Sequence, residues 1–330
     1  MTHEVEPPTY SFYLGCVIPN RYPMVERATR SVLGELGVKL KDMEGATCCP
    51  APGVFRSFDI PTWLTIGARN ITIAENNNAN IVTMCNGCYG TLLEVDHTLK
   101  HDLKKREDVN SHLKKVDRSF KGSIRVEHLA EVLYYDIGVE KIRDVVKYPL
   151  GLKIAVHYGC HLTKPPEIRP WNQEFEEPRF FDELVEAIGC ESIPYKDKMM
   201  CCGAGGGVRS TVKEVSLDFT RHKLEEIRKT EAECIVNMCP FCMLQLDLGQ
   251  LEVNSIFKDQ IGEPFSIPVF YFTQLLGLAM GLNPVDLGLV KRHNLKGVPP
   301  FINQEPLLKK LLKKLGYNYS DLKKKAEANS

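Results

Sequence analysis

The sequence carries no excess charge of either sign. Lys and Arg total 42 and Asp and Glu total 42 in 330 residues, so the chain as a whole offers no basic field to nucleic acid. It also lacks a long apolar run. The longest, near Phe270 to Leu282, is too short and too interrupted to span a bilayer, and no membrane span is expected. The opening Met1-Thr2-His3-Glu4-Val5-Glu6 has neither a basic start nor an apolar stretch, so no secretory signal is expected and the expected location is cytoplasmic. Three local signatures are missing as well. No Cys-x-x-Cys-x-x-Cys-x-x-x-Cys-Pro run is available for ordinary cubane clusters, and no G-x-G-x-x-G follows a strand to hold a flavin. The glycine run Gly203-Ala204-Gly205-Gly206-Gly207 is not followed by Gly-Lys-Ser/Thr, which excludes a phosphate loop.

What the chain does have is twelve cysteines. In a reducing compartment these read as ligands or catalysts rather than as a disulfide framework. Sliding the chain along itself shows their organisation. Ile81-Val82-Thr83-Met84-Cys85-Asn86-Gly87-Cys88 matches Ile235-Val236-Asn237-Met238-Cys239-Pro240-Phe241-Cys242 at five of eight positions. Upstream, Phe12-Tyr13-Leu14-Gly15-Cys16 parallels Val156-His157-Tyr158-Gly159-Cys160, and the adjacent pairs Cys48-Cys49 and Cys201-Cys202 lie between. The gaps to each pair are 31 and 40 residues, and from each pair to the Cys-x-x-Cys 35 and 36.

The rest of each half repeats too. Helical patterns at Tyr22 to Gly37 and Pro178 to Gly189 end at a glycine, and Thr62 to Asn78 and Val212 to Thr230 carry apolar residues at helical spacing. Val126 to Gly138 and Val269 to Gly281 each read as an apolar helix closing its half. Alternating strands and helices predict an α/β fold: two similar repeats with mainly parallel sheets, related by a pseudo-twofold axis. The boundary falls near Pro149-Leu150-Gly151, giving domains 1–150 and 151–330, the second ending in an amphipathic helical tail after Pro306. That tail reads as a surface helix or as a docking element.

Each half thus offers five thiols. Structural zinc wants four ligands in a tetrahedron, and side chains as close as Cys48 and Cys49 rarely reach one small ion together. A polynuclear iron–sulfur cluster accommodates the count better, although the usual cubane takes four cysteines. Zinc held as an assembly scaffold stays open as an alternative. Cys190 and Cys234 have no cysteine counterpart, aligning with Val38 and Asn80, and read as buried structural residues.

These motifs, one cysteine, an adjacent pair and a Cys-x-x-Cys twice over, resemble the cysteine-rich CCG domain family, and within it the B subunits of heterodisulfide reductases. The resemblance runs from Tyr10 to about Pro284. It implies two non-cubane [4Fe-4S] clusters, one on Cys16, Cys48, Cys49, Cys85 and Cys88, the other on Cys160, Cys201, Cys202, Cys239 and Cys242. It implies reduction of the mixed disulfide of coenzyme M and coenzyme B at those clusters, a step of methanogenesis. It further implies electrons from the cubane-bearing C and flavin-bearing (FAD) A polypeptides of a heterodisulfide reductase complex. A hydrogenase or formate dehydrogenase would feed these, with coupling to ferredoxin reduction by electron bifurcation. The alternative within the family is an electron-transfer component of a succinate, glycolate or lactate dehydrogenase.

A substrate carrying sulfonate, phosphate and carboxylate calls for cations. Arg56 and Arg209 each lie seven residues beyond the second cysteine of their pair and are the first candidates, followed by Arg21, Lys164 and His161. His161 is also a candidate proton donor. The first pair is followed by the stiff Pro50-Ala51-Pro52-Gly53 and the second by the glycine run, so the second cluster is expected to be the more accessible.

Overall fold

A computed structural model describes residues 7–171, 176–290 and 304–328. Eight strands form two four-stranded sheets, and every pairing is parallel. In the first sheet, β1 (Thr9–Tyr13), β2 (Lys39–Asp42), β3 (Asn80–Thr83) and β4 (Val126–His128) take the order β2-β1-β3-β4. In the second, β5 (Lys153–His157), β6 (Glu191–Ser192), β7 (Cys234–Asn237) and β8 (Val269–Tyr271) take the equivalent order β6-β5-β7-β8. Register repeats along with order: Tyr10 pairs with Asn80, and its counterpart Ile154 pairs with Cys234. Central strands are buried along nearly their whole length, as a parallel sheet covered by helices on both faces requires. The edge strand Lys39-Leu40-Lys41-Asp42 is charged and mostly exposed, which discourages pairing with another chain.

The first crossover in each half leaves β1 or β5 toward one side and the next returns past it to the other. The order therefore reverses between β1 and β3, and again between β5 and β7. In open parallel sheets of this kind ligands bind outside the carboxyl ends of the strands at that reversal.

The segments starting at Val126 and Val269 differ from the expected closing helices. Each first makes a three-residue strand, β4 or β8, and only then turns helical, at Leu129–Glu131 and Phe272–Ala279. Three residues are too few to display a period, so strand and helix could not be told apart. The closing helices are also exchanged. Phe272–Ala279 packs on Pro23–Glu35 of the first half, where Thr29 and Thr273 share a buried hydrogen bond of 2.9 Å. The helical run from Leu129 to Val145 packs on Phe180–Ala187 of the second half, where the Tyr134 hydroxyl donates to Glu183 at 2.7 Å. Matching exchanges on the two sides are what a pseudo-twofold relation produces.

Helices Gln304–Lys314 and Tyr319–Ala328 close the chain. Leu308, Leu311 and Leu312 are buried against the protein itself, and Gln304 caps the β8 carbonyl of Val269, so the tail covers an edge of the second sheet. Among the described residues no helix is long and apolar enough to cross a membrane.

One side chain ties the two reversal points together. Tyr271, fully buried at the end of β8, places its hydroxyl 2.6 Å from the Met84 carbonyl and 3.0 Å from that of Met238, one carbonyl in each half. Tyr271→Phe is expected to lower stability by about 1–3 kcal/mol, read as a reduced urea midpoint, because two buried carbonyls lose their shared donor. A midpoint shift near zero would mean that the carbonyls find another donor.

Candidate metal centre

All ten repeat cysteines lie at the carboxyl ends of strands flanking the two reversal points, or on the loop after the second strand. Cys16 and Cys160 follow β1 and β5 through Gly15 and Gly159, both at positive φ, +67° and +77°. A Cβ on Gly15 would stand 2.7 Å from the Cys88 sulfur, and one on Gly159 3.3 Å from that of Cys242. Only glycine combines that backbone turn with so close an approach to a sulfur. Cys85 and Cys239 are the N-cap residues of helices Asn86–His101 and Pro240–Ile256, whose first turns carry Cys88 and Cys242. The positive helix ends favour thiolate there. Pro240 occupies the first helical position, where a missing N–H costs nothing.

The sulfurs form one continuous line. Cys16 contacts Cys48, Cys48 contacts Cys49, Cys49 contacts Cys88, and Cys88 contacts Cys85. Cys85 meets Cys239 of the other half. The line then runs on in mirrored order through Cys242, Cys202 and Cys201 to Cys160, with Cys202 and Cys242 sulfurs 3.5 Å apart. No disulfide interrupts it, since all twelve cysteines are free, and Cys190 and Cys234 stand outside it. Such crowding sorts the sulfurs into acceptors and donors. Contact with Cys160 and Cys202 pulls the Cys201 thiol far down, and contact with Cys201 followed by burial pushes Cys160 far up. Ten sulfurs this close cannot all ionise unless cations are inserted among them.

Other atoms fit such an insertion. His157 is fully buried, neither of its ring nitrogens has a partner among the described residues, and one lies within 4.8 Å of the Cys202 and Cys242 sulfurs. Buried polar atoms are ordinarily satisfied, so this imidazole is poised for a group that the polypeptide does not supply. Lys223, 1% exposed, sets its ammonium 3.1 Å from the carbonyls of Asp197 and Lys198. Burial brings its pKa down to about 8, while the Cys202, Cys242 and Cys201 thiolates hold it up.

The two quintets differ in exposure, in the opposite sense to expectation. Cys16 and Cys48 are exposed, whereas Cys160 and Cys201 are half-buried. A surface cavity of about 430 Å³, lined in part by Leu14, Gly15, Met43, Ala46 and Thr47, opens beside the first site. At its first position the glycine run is used for packing rather than for opening the second site. A Cβ on Gly203 would come 2.1 Å from the Ser216 carbonyl, and the Ser216 and Thr220 hydroxyls tie down the carbonyls of Gly203 and Cys202 at 2.8 and 2.9 Å.

The candidate cations are spread around the sites. Arg56 pairs with Glu94 at 2.8 Å and lies over the Trp63 ring, while Arg209 is held by Glu252 and Gln245, so both arginines face protein carboxylates. Arg21 and Lys164 are exposed. His161 packs beside Gly90 of the other half, and burial and then Arg169 lower its pKa. Arg169 was not singled out by its motif. It is 8% exposed, stacks over Tyr89 at 4.8 Å, and keeps Nε and Nη1 without a partner among the described residues.

Comparison with known proteins agrees with this layout. A family model described as a cysteine-rich domain, CCG, matches residues 10–93 and 154–247. The chain is 51% identical over 279 residues to the B subunit of the ferredoxin/F(420)H(2)-dependent CoB-CoM heterodisulfide reductase of Methanosarcina acetivorans, covering 84% of this chain and 91% of that one. It is 31% identical to the 8-methylmenaquinol:fumarate reductase membrane anchor subunit of Wolinella succinogenes, covering 86% and 96%. A hypothetical protein from Helicobacter pylori shares the fold, with a TM-score of 0.65 at 15% identity, covering 86% of this chain and 51% of that one, so the chain spans about half of that structure's length. Two matched repeats and half-identity over most of the length place the chain in the cysteine-rich CCG family, among its heterodisulfide reductase B subunits.

Proposed function

We propose that this chain is the component of a heterodisulfide reductase that cleaves the mixed disulfide of coenzyme M and coenzyme B. Cys16, Cys48, Cys49, Cys85 and Cys88 would hold one non-cubane [4Fe-4S] cluster, and Cys160, Cys201, Cys202, Cys239 and Cys242 the other. The observation that carries this reading is the line of ten sulfurs, built as two quintets that meet at Cys85 and Cys239. Five thiolates exceed what one ion takes, and two sites in contact suit a substrate that must receive two electrons across one bond.

The balance is simple: one disulfide, two electrons and two protons give two thiols. Clusters held by the two quintets would supply the two electrons. The protein does the rest. Helix ends at Cys85 and Cys239 stabilise the thiolate ligands, and the Tyr271 hydroxyl fixes the two backbones that carry them. His161, half-buried against Gly90 of the other half, would donate an N–H to a nascent thiolate. Arg56, Arg209, Arg21 and Lys164 remain candidates for the substrate anions, and Arg169 joins them because its free N–H groups are already desolvated. Electrons would arrive from the cubane-bearing C polypeptide and the FAD-bearing A polypeptide of the complex, with a hydrogenase or formate dehydrogenase beyond them, in the cytoplasm.

The likeness to a subunit of a fumarate reductase in Wolinella supports a second reading, an electron-transfer component of a dehydrogenase or reductase that acts on another substrate. Anaerobically purified protein should contain iron and acid-labile sulfide for two clusters of four, and coenzyme M added to the oxidised protein should produce a new paramagnetic signal. A full iron complement with no thiol-dependent signal would select the second reading. Cys49→Ser and Cys202→Ser should each remove about half of the iron, one site per variant. Iron unchanged in either variant would contradict the ligand assignment.

A further inference from the structure

The two quintets match, but their surroundings differ at two related positions. Tyr13 and His157 each stand three residues before the first cysteine of their half, and Asn70 and Lys223 each stand 21 residues after the second cysteine of the adjacent pair. In the first half both groups are neutral and bonded to protein. The Tyr13 hydroxyl donates to the Thr47 carbonyl at 2.5 Å, and Asn70 accepts from the Thr47 amide at 3.0 Å and donates to the Cys48 carbonyl at 3.2 Å. In the second half they are an imidazole whose two nitrogens have no partner among the described residues and an ammonium. Two of the ammonium's N–H donors reach carbonyls, its third faces toward the Tyr195 ring 5.1 Å away, and its charge is felt by the Cys202, Cys242 and Cys201 sulfurs.

Charge and hydrogen bonding to sulfur are among the levers that set a cluster's reduction potential. Reduction adds one negative charge in a buried space. A cation and an N–H donor held there stabilise that charge far more than they would in water. The first site has no such pair at the equivalent positions, and its outer cysteines are open to solvent.

We infer that His157 and Lys223 make the second quintet the electron-accepting site, the imidazole N–H bonding to cluster sulfur and the ammonium offsetting the added charge. The inference rests on the two-cluster reading above. One electron from an external low-potential one-electron donor then settles on the Cys160, Cys201, Cys202, Cys239 and Cys242 site before the other is reduced. The exposed first site is left as the partner that takes the second electron.

The test is a dithionite titration of the anaerobically purified full chain, followed by electron paramagnetic resonance. Two one-electron steps are expected. Lys223→Met should lower the higher step by at least tenfold in its reduction equilibrium constant, about 59 mV for one electron, and leave the lower step in place. Lys223→Arg should restore it. His157→Phe should lower the same step and alter its signal, and His157→Gln, which keeps an N–H, should recover much of both. If Lys223→Met loses iron, Lys223→Gln serves the same comparison. Full iron with both steps unmoved in Lys223→Met and His157→Phe would overturn the inference, as would a shift confined to the lower step. Iron for fewer than two clusters in the unaltered chain would instead overturn the two-cluster reading, and the inference with it.

Discussion

Sulfur crowding is the constraint on which the rest of the structure depends. Ten thiols in one line, with the halves meeting at Cys85 and Cys239, can be held only by a fold that brings six strand ends to one place. The parallel sheet does this twice. Its reversal of strand order opens a crevice at the carboxyl ends of β1 and β3, and of β5 and β7. Glycines at positive φ let the backbone pass close to the Cys-x-x-Cys sulfurs, and helix N-termini supply the favourable field. The exchanged closing helices then clamp the two crevices face to face.

Much of this was legible in the sequence. The repeat of Cys, Cys-Cys and Cys-x-x-Cys defined both quintets, and the apolar spacing gave the helices Ile60–Asn77 and Lys213–Arg228 within two residues. The α/β class followed from alternation alone. The fourth strand of each sheet was hidden because Val126-Glu127-His128 and Val269-Phe270-Tyr271 are too short to show a period. The exchange of closing helices has no local signature, since the contact of Thr29 with Thr273 joins residues 244 apart. Accessibility was misread because a glycine run signals backbone freedom without saying what uses it. Here the Ser216 carbonyl uses it at Gly203, whose own carbonyl the Ser216 hydroxyl holds.

His157 and Lys223 show a different limit. The repeat register already set them opposite Tyr13 and Asn70, so the signal was present. It went unread because one half offers an imidazole and an ammonium where the other offers a phenol and an amide. Only burial gave the difference meaning: the same residues at a surface would be ordinary. A duplicated fold keeps its geometry while each copy's neighbours diverge, and the divergence is where two like sites acquire unlike roles.

Metal identity and position together decide the account. Crystals of the anaerobically purified protein, measured for anomalous scattering at the iron edge, should give two iron maxima, one inside each quintet, on either side of the Cys85–Cys239 contact. A single ion on four of the five sulfurs in either half, or scattering at the zinc edge in place of iron, would contradict it.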